Sequence, residues 1–255
     1  MPAAIEISNV SMSFPGNGRQ VDVLEDISLT IPRDQFVSVV GRSGCGKSTL
    51  LRIISNLIAP SRGNVRINGM SSEDYQRRRK FGFVFQEACL FPWKTALQNV
   101  ELPLEIMGMK STSKRRERAR ELLGLVRLDG FEDHYPAQLS GGMRQRVAIA
   151  RALSYEPEFL LMDEPFGALD DFTRREMHDE LINIWKSRSL TVLFVTHSLS
   201  EALYLSDQIV VMAPRPGRIR AVVPVIEPRV ADPAIRASAN YARQIQQLET
   251  LLHEQ

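Results

Sequence analysis

The chain opens on short alternating stretches and then changes to continuous apolar runs. Ile5 and Ile7 alternate with polar neighbours, as do Ile27, Leu29 and Ile31, with turn chemistry between them at Phe14-Pro15-Gly16-Asn17-Gly18. A period of two predicts half-buried strands, so this region reads as a hairpin-like β subdomain closed by Pro32. From Phe36 the register changes. Residues 36–40 are an apolar strand, a glycine-rich loop follows, and a helical run over 50–58 stops at Ala59-Pro60. Similar compact runs occupy 81–85, 159–162 and 192–196. Apolar runs this short, with polar chemistry at their C-terminal ends, suit parallel strands covered on both faces. A mostly helical stretch over 95–156 lies between the runs at 81–85 and 159–162 and reads as an insertion into the α/β core. After Met212 the chain is broken by Pro214, Pro216, Pro224, Pro228 and Pro233. Residues 234–252 then form a closing helix whose Ile235, Tyr241, Ile245, Leu248 and Leu252 share one face.

Composition narrows the class. The 255 residues are 44% hydrophobic and 24% charged, too apolar for a disordered or fibrous chain. Basic and acidic residues stand at 32 against 30, so no global field draws the chain to nucleic acid or anionic lipid. Arg77-Arg78-Arg79-Lys80 and Lys114-Arg115-Arg116 lack interleaved aromatics to stack bases and read as solvated surface. No apolar run approaches the ~20 residues of a membrane-spanning helix. The N-terminus has no secretion-signal pattern, and Cys45 and Cys89 have no metal-ligand spacing. The expectation is a cytosolic protein that reaches a membrane only by docking onto another chain.

Gly41-Arg42-Ser43-Gly44-Cys45-Gly46-Lys47-Ser48-Thr49 satisfies G-x-x-x-x-G-K-[ST] between a strand and a helix. Glycines let successive N–H groups converge on one anion, and the helix start adds its positive dipole end. Lys47 reaches the β- and γ-phosphates and Ser48 holds Mg²⁺ in such a loop. The run at 159–162 ends in Asp163 and Glu164, at the strand end where ligands of open α/β sheets sit. Asp163 is expected to anchor Mg²⁺, and Glu164 to poise a water for attack on the γ-phosphate. Gln86 and His197 each end a predicted sheet strand on that same edge. Leu139-Ser140-Gly141-Gly142-Met143-Arg144-Gln145-Arg146 starts another helix, with Ser140 as N-cap and two glycines that leave backbone N–H groups uncovered.

In order, these motifs resemble those of the ATP-binding cassette (ABC) ATPases over nearly the whole chain. Residues 41–49 are similar to the Walker A loop, Gln86 to the Q-loop, 139–145 to the signature sequence and 159–164 to Walker B with its catalytic glutamate. Ala168-Leu169-Asp170 resembles the D-loop, and Val195-Thr196-His197 the switch histidine. Phe14 sits where the family keeps an adenine-stacking aromatic, more usually tyrosine. The resemblance implies a fold: a P-loop NTPase core with a parallel sheet, an N-terminal antiparallel β subdomain and an inserted helical subdomain. It would span 4–229, followed by a C-terminal helical extension over 230–255. It also implies ATP and Mg²⁺ as ligands, with Glu164, His197 and Gln86 as catalytic groups. Ser48, Gln86 and Asp163 would serve the metal. The nucleotide would be held by Phe14, by the loop (Gly41, Ser43, Gly44, Cys45, Gly46, Lys47, Ser48 and Thr49), by Ser140, Gly141 and Gly142, and by Asp170. In that family two cassettes meet head to tail, so Ser140 and Gly142 would grip the γ-phosphate bound to a second copy.

Leu90-Phe91-Pro92-Trp93 and Pro214-Arg215-Pro216-Gly217-Arg218-Ile219 look like the ATPase subunits of nitrate, sulfonate and taurine importers. The function this implies is energy coupling for import of a small anionic solute, nitrate, sulfonate, taurine or bicarbonate, by a homodimer beneath two transmembrane permease subunits. A solute-binding protein would be an indirect partner, nucleic acid none, and the location the cytoplasmic face of the cell membrane. The alternatives are an ABC exporter ATPase and a soluble ABC ATPase outside transport.

Overall fold

The structure, a computed structural model, describes residues 3–16, 19–226 and 233–253. Asn17 and Gly18 of the expected turn, Pro228, and the boundary expected between 229 and 230 lie outside the described residues. In chain order the elements begin with β1 (Ala3–Pro15), β2 (Gln20–Pro32), β3 (Phe36–Gly41), α1 (Lys47–Ile54), β4 (Arg62–Ile67), β5 (Met70–Ser71) and α2 (Ser72–Gln76). Next come β6 (Phe81–Val84), α3 (Ala96–Ile106), α4 (Thr112–Leu125), α5 (Gly141–Leu153), β7 (Phe159–Asp163) and α6 (Asp171–Lys186). The last are β8 (Thr191–Thr196), α7 (Leu199–Leu205), β9 (Gln208–Ala213), β10 (Arg218–Pro224) and α8 (Ala239–His253). They form two compact units, Met1–Arg79 with Ser189–Gln255, and Lys80–Arg188.

In the first unit β1 pairs antiparallel with β2 and β4, and β4 with β5. The register sets Ile5 opposite Ile31, Ile7 opposite Leu29 and Val10 opposite Ile27. All six are buried, which is the alternation of the sequence turned onto one face. The central strand of the other sheet is β3, buried along its whole length, with β8 and β9 parallel on either side and β10 antiparallel on β9. Strands β4, β9 and β10 carry no alternation long enough to be read from sequence. Pro214 and Pro216 fall in the turn before β10 and Pro224 ends it, so the prolines delimit a strand that the sequence pattern hides. Helix α1 stops at Ile54, short of the expected 58, because Asn56 takes a left-handed φ of 56°.

The closing helix also starts late. Pro233–Ala237 is a 3-10 turn, and the Ser238 hydroxyl accepts the Tyr241 N–H at 3.0 Å as a cap would. Tyr241 and Leu248 of α8 pack on Val40, Leu203, Ile209 and Val223, and Arg220 donates to the Leu251 carbonyl at 2.6 Å. An amphipathic helix with a cation on its last carbonyls is thereby fixed to the β3 sheet.

The second unit contains the parallel pair β6–β7, with Phe81 opposite Phe159 and Val84 opposite Met162, and the helices α3 to α6. A buried ion pair joins α5 to α6. Arg146 donates to Glu180 at 2.6 Å and to the Val126 carbonyl at 3.1 Å, and Arg127 reaches the same carboxylate at 3.2 Å. Desolvation nevertheless outweighs the cations and holds the Glu180 carboxyl above its ordinary range. Among the described residues its Oε2 has no hydrogen-bond partner.

Candidate nucleotide site

The loop between β3 and α1 winds as its glycines permit. Gly44 and Gly46 take φ of 78° and 95°, conformations that side-chain-bearing residues rarely adopt. Cys45, fully buried, donates its N–H to the Arg42 carbonyl at 3.2 Å, and Leu50 donates to Gly46 at 2.9 Å as α1 begins. Lys47 folds back so that Nζ donates to the Gly41 carbonyl at 2.9 Å, which places its charge over the concave side of the loop. The backbone N–H groups of a first helical turn point out of the helix end, so this turn faces one space with donors and a cation. Pairing of Val40 with Thr196 brings His197 out at the same sheet edge as Gly41. His197 is exposed between β8 and the start of α7. The Thr196 hydroxyl bonds Glu201 at 2.5 Å and accepts the Ser198 N–H at 3.0 Å, so the residues on both sides of the imidazole are held. Phe14, 38% exposed, stands opposite Val21 at the end of the β1–β2 ladder.

In the second unit the parallel register of β6 and β7 delivers Gln86, Asp163 and Glu164 to one edge. Asp163 is buried as the last residue of β7, while Glu164 turns the chain with φ 44° and its carbonyl accepts the Gly167 N–H at 3.2 Å. A Cβ placed on Gly167 would lie 3.8 Å from Gln86 Nε2, so the glutamine side chain reaches over this turn. Asp170 caps α6. Its Oδ1 accepts the Thr173 N–H at 3.0 Å and its Oδ2 the Thr173 hydroxyl at 2.7 Å, which holds the carboxyl below the usual range.

Ser140 is the N-cap of α5, accepting the Met143 N–H at 3.2 Å, so its own O–H stays available to donate. The two glycines after it divide. Gly141 is exposed, and a Cβ there would meet nothing nearer than Arg144 Nη2 at 3.9 Å. Gly142 is buried, and a Cβ there would lie 2.6 Å from Thr173 Cγ2. The expectation that both glycines serve a bare backbone therefore needs refinement: Gly142 also lets α5 close onto the first turn of α6.

Several polar residues that position these groups carry no signal beyond polarity within an apolar helix. Gln145 Nε2 donates to the Phe85 carbonyl at 3.1 Å, and Arg151 donates to the Cys89 and Ala88 carbonyls at 2.7 and 2.8 Å. From α3, Asn99 accepts the Phe91 N–H at 2.8 Å and donates to the Lys94 and Thr95 carbonyls, both at 3.0 Å. The segment 85–95 is thus gripped by two helices, and Trp93, packed at 5.5 Å on Phe91, is left 69% exposed. A cleft of about 430 Å³ opens here, lined by Gln86, Cys89, Leu90, Arg144, Gln145 and Ala168.

A parallel sheet that feeds a phosphate loop, together with a second parallel pair that ends in adjacent acids, defines a P-loop nucleoside triphosphatase. The family model described as ABC transporter matches residues 24–167, and the chain belongs to that family as one of its ATP-hydrolysing members. It is 46% identical over 219 residues to the aliphatic sulfonates import ATP-binding protein SsuB of Bacillus cereus, covering 86% of this chain and 85% of the relative. It is 44% identical over 255 positions to the taurine import ATP-binding protein TauB of Rhizobium johnstonii, with 98% and 96% covered. Among solved structures, a dimeric post-hydrolysis state of the ATP-binding cassette MJ0796 bound to ADP and Pi superposes with a TM-score of 0.79 at 36% identity. That match covers 88% of this chain and 99% of that one. Among the described residues no helix is long and apolar enough to cross a membrane.

Proposed function

We propose that this chain energises import of a small anionic solute of the nitrate, sulfonate, taurine or bicarbonate type, as the ATPase subunit of an ABC importer. The observation that carries the reading is the near full-length likeness to proteins named for import of aliphatic sulfonates and of taurine. Two copies pair around ATP, as the dimeric form of the cassette MJ0796 suggests. They act at the cytoplasmic face of the membrane beneath two permease subunits. The cleft beside residues 86–90 receives a cytoplasmic helix of the permease.

Within this reading the amides of 41–49 and Lys47 hold the phosphates, and Phe14 stacks on the base. Ser48, Asp163 and Gln86 offer a hydroxyl, a carboxylate and an amide oxygen, a hard-oxygen donor set suited to Mg²⁺. These residues would hold the metal, which would supply positive charge against that developing on the phosphate oxygens. Glu164 orients and deprotonates the attacking water, and His197 and Gln86 donate to the γ-phosphate side. Ser140 O–H and the Gly141 and Gly142 amides meet the γ-phosphate held by the partner copy, with Asp170 beside that contact. Glu164→Gln is the test: turnover falls by at least about a hundredfold, the usual scale for losing a general base, while an ATP-stabilised dimer accumulates in gel filtration. Adding Ser140→Ala should disperse that dimer. Near-normal hydrolysis by Glu164→Gln removes the proposed base. The importer reading itself fails if membrane subunits encoded beside this chain never co-purify with it.

A further inference from the structure

The turn between β9 and β10 has no part in the roles above, yet it lies against the phosphate loop within the same unit. Gly217 donates its N–H to the Val23 carbonyl and accepts the Glu25 N–H, both at 2.9 Å, which makes a bridge to β2 opposite Leu24. A Cβ on Gly217 would strike the Cys45 carbonyl oxygen, so only glycine allows so close an approach to the loop. Arg218 pairs with Glu25 at 2.6 Å and fixes the base of the turn. Arg215, exposed at its tip, is thereby laid along the loop backbone. A Cβ built on Gly44 would lie 3.0 Å from Arg215 Nη2, 3.6 Å from Nε and 3.8 Å from Cζ.

We propose that Arg215 is a second cation of the phosphate cradle, a binding residue that raises affinity for the triphosphate. Gly44 belongs to the loop whose amides surround the anion, so a charge resting on it lies well inside a Debye length, about 8 Å at physiological salt. The guanidinium fork matches phosphate oxygens, and Pro214 and Pro216 on either side limit the freedom lost when the turn is held. Glu25, the acid at the base of the turn, is already taken by Arg218. The attraction grows with ligand charge, which separates it from any contact to the base or sugar. This inference rests on residues 41–49 being the phosphate loop.

The experiment titrates fluorescent N-methylanthraniloyl ATP, ADP and AMP into the full chain, its Arg215→Gln and Arg215→Lys variants, and Lys47→Ala, at low and high salt. Arg215→Gln should weaken ATP binding about fivefold and ADP binding about twofold, the scale of one exposed charge contact, and leave AMP unchanged. Arg215→Lys should recover most of the loss, high salt should shrink it, and melting of the nucleotide-free protein should not move. Unchanged ATP affinity in Arg215→Gln, or equal losses for ATP and AMP, overturns the proposal. If Lys47→Ala also keeps full affinity, the phosphate-loop reading fails with it. If only Lys47→Ala loses affinity, the role of Arg215 alone is refuted.

Discussion

Replacing Gly142 by alanine tests whether the second signature glycine is there for packing. The added methyl would lie 2.6 Å from Thr173 Cγ2, where carbon atoms in contact sit about 3.5–4.0 Å apart. Roughly 1 Å must be found. Thr173 can swing its methyl away only by giving up its hydroxyl bond to Asp170 at 2.7 Å. Alternatively α5 backs off from α6, an overpacking cost of about 1–3 kcal/mol. Against this, alanine gains up to about 1 kcal/mol of helix propensity, less so close to the helix start. The balance is a loss of about 1–2 kcal/mol, or a melting point lower by about 3–6 °C for a chain of this size. Thr173→Ser removes Cγ2 and keeps the hydroxyl, so Gly142→Ala with Thr173→Ser should regain the loss and show a coupling of about 1 kcal/mol in a double-mutant cycle. The cycle is measured by thermal and urea unfolding without nucleotide. Zero coupling, with Gly142→Ala as stable as the parent, would refute the packing argument.

Two further outcomes follow from groups buried in the second unit. Burial pushes the Tyr155 hydroxyl up to about 12 while it donates to the Phe81 carbonyl at 2.5 Å, and Arg151 opposes the shift only partly. Because the folded value lies above the unfolded one, this stability is complete below pH 10 and is lost as pH rises from 10 to 12, up to about 3 kcal/mol. Tyr155→Phe should flatten that alkaline decline in urea unfolding, and a parent whose stability is no more alkali-sensitive than the variant's contradicts it. Arg146→Met should cost about 3 kcal/mol, since it strands Glu180 with only the exposed Arg127 beside it. The Glu180 carboxyl already sits above its ordinary range, so protonation relieves the stranded charge and the deficit should shrink on acidification from pH 8 to 5.5. A deficit equal at both pH values would place the cost elsewhere.

How much of this could be read in advance depended on the kind of signal. The β1–β2 pairing and the buried strands β3, β7 and β8 were legible because period-two alternation and short apolar runs are local patterns. The loop at 41–49 was legible because its chemistry needs glycines at fixed spacing. Strands β9 and β10 were not, since prolines around Ala213 and Pro224 look like breakers until pairing shows them at strand ends. The Asp170 cap announces helix α6, a signal obscured because the same aspartate closes the Ala168-Leu169-Asp170 motif. The packing role of Gly142 could not be read at all: Thr173 is distant in sequence and only the fold brings it near.

The polar residues of α5 show how one helix connects parts of the candidate site. From its N-terminal turn, where Ser140 caps and Gly141 is open, to Leu153 it runs 13 residues, roughly 20 Å at 1.5 Å per residue. Along that length Gln145 holds the Phe85 carbonyl, Arg146 holds Glu180 of α6, and Arg151 holds the Ala88 and Cys89 carbonyls. The Gln145 and Arg151 bonds hold one segment, residues 85–89, the Arg146 bond holds α6, and a helix does not stretch. Any displacement of residues 85–89 must therefore either break the Gln145 and Arg151 bonds or carry the Ser140 turn with it. Breaking them would leave partly buried carbonyls and an Arg151 guanidinium that burial already holds below its usual value. Moving the helix as a body is the cheaper response. If a permease helix seats in the cleft beside Gln86, its push arrives at the signature turn through α5, and the closely packed Gly142–Thr173 contact passes the same motion to α6 and the Asp170 cap.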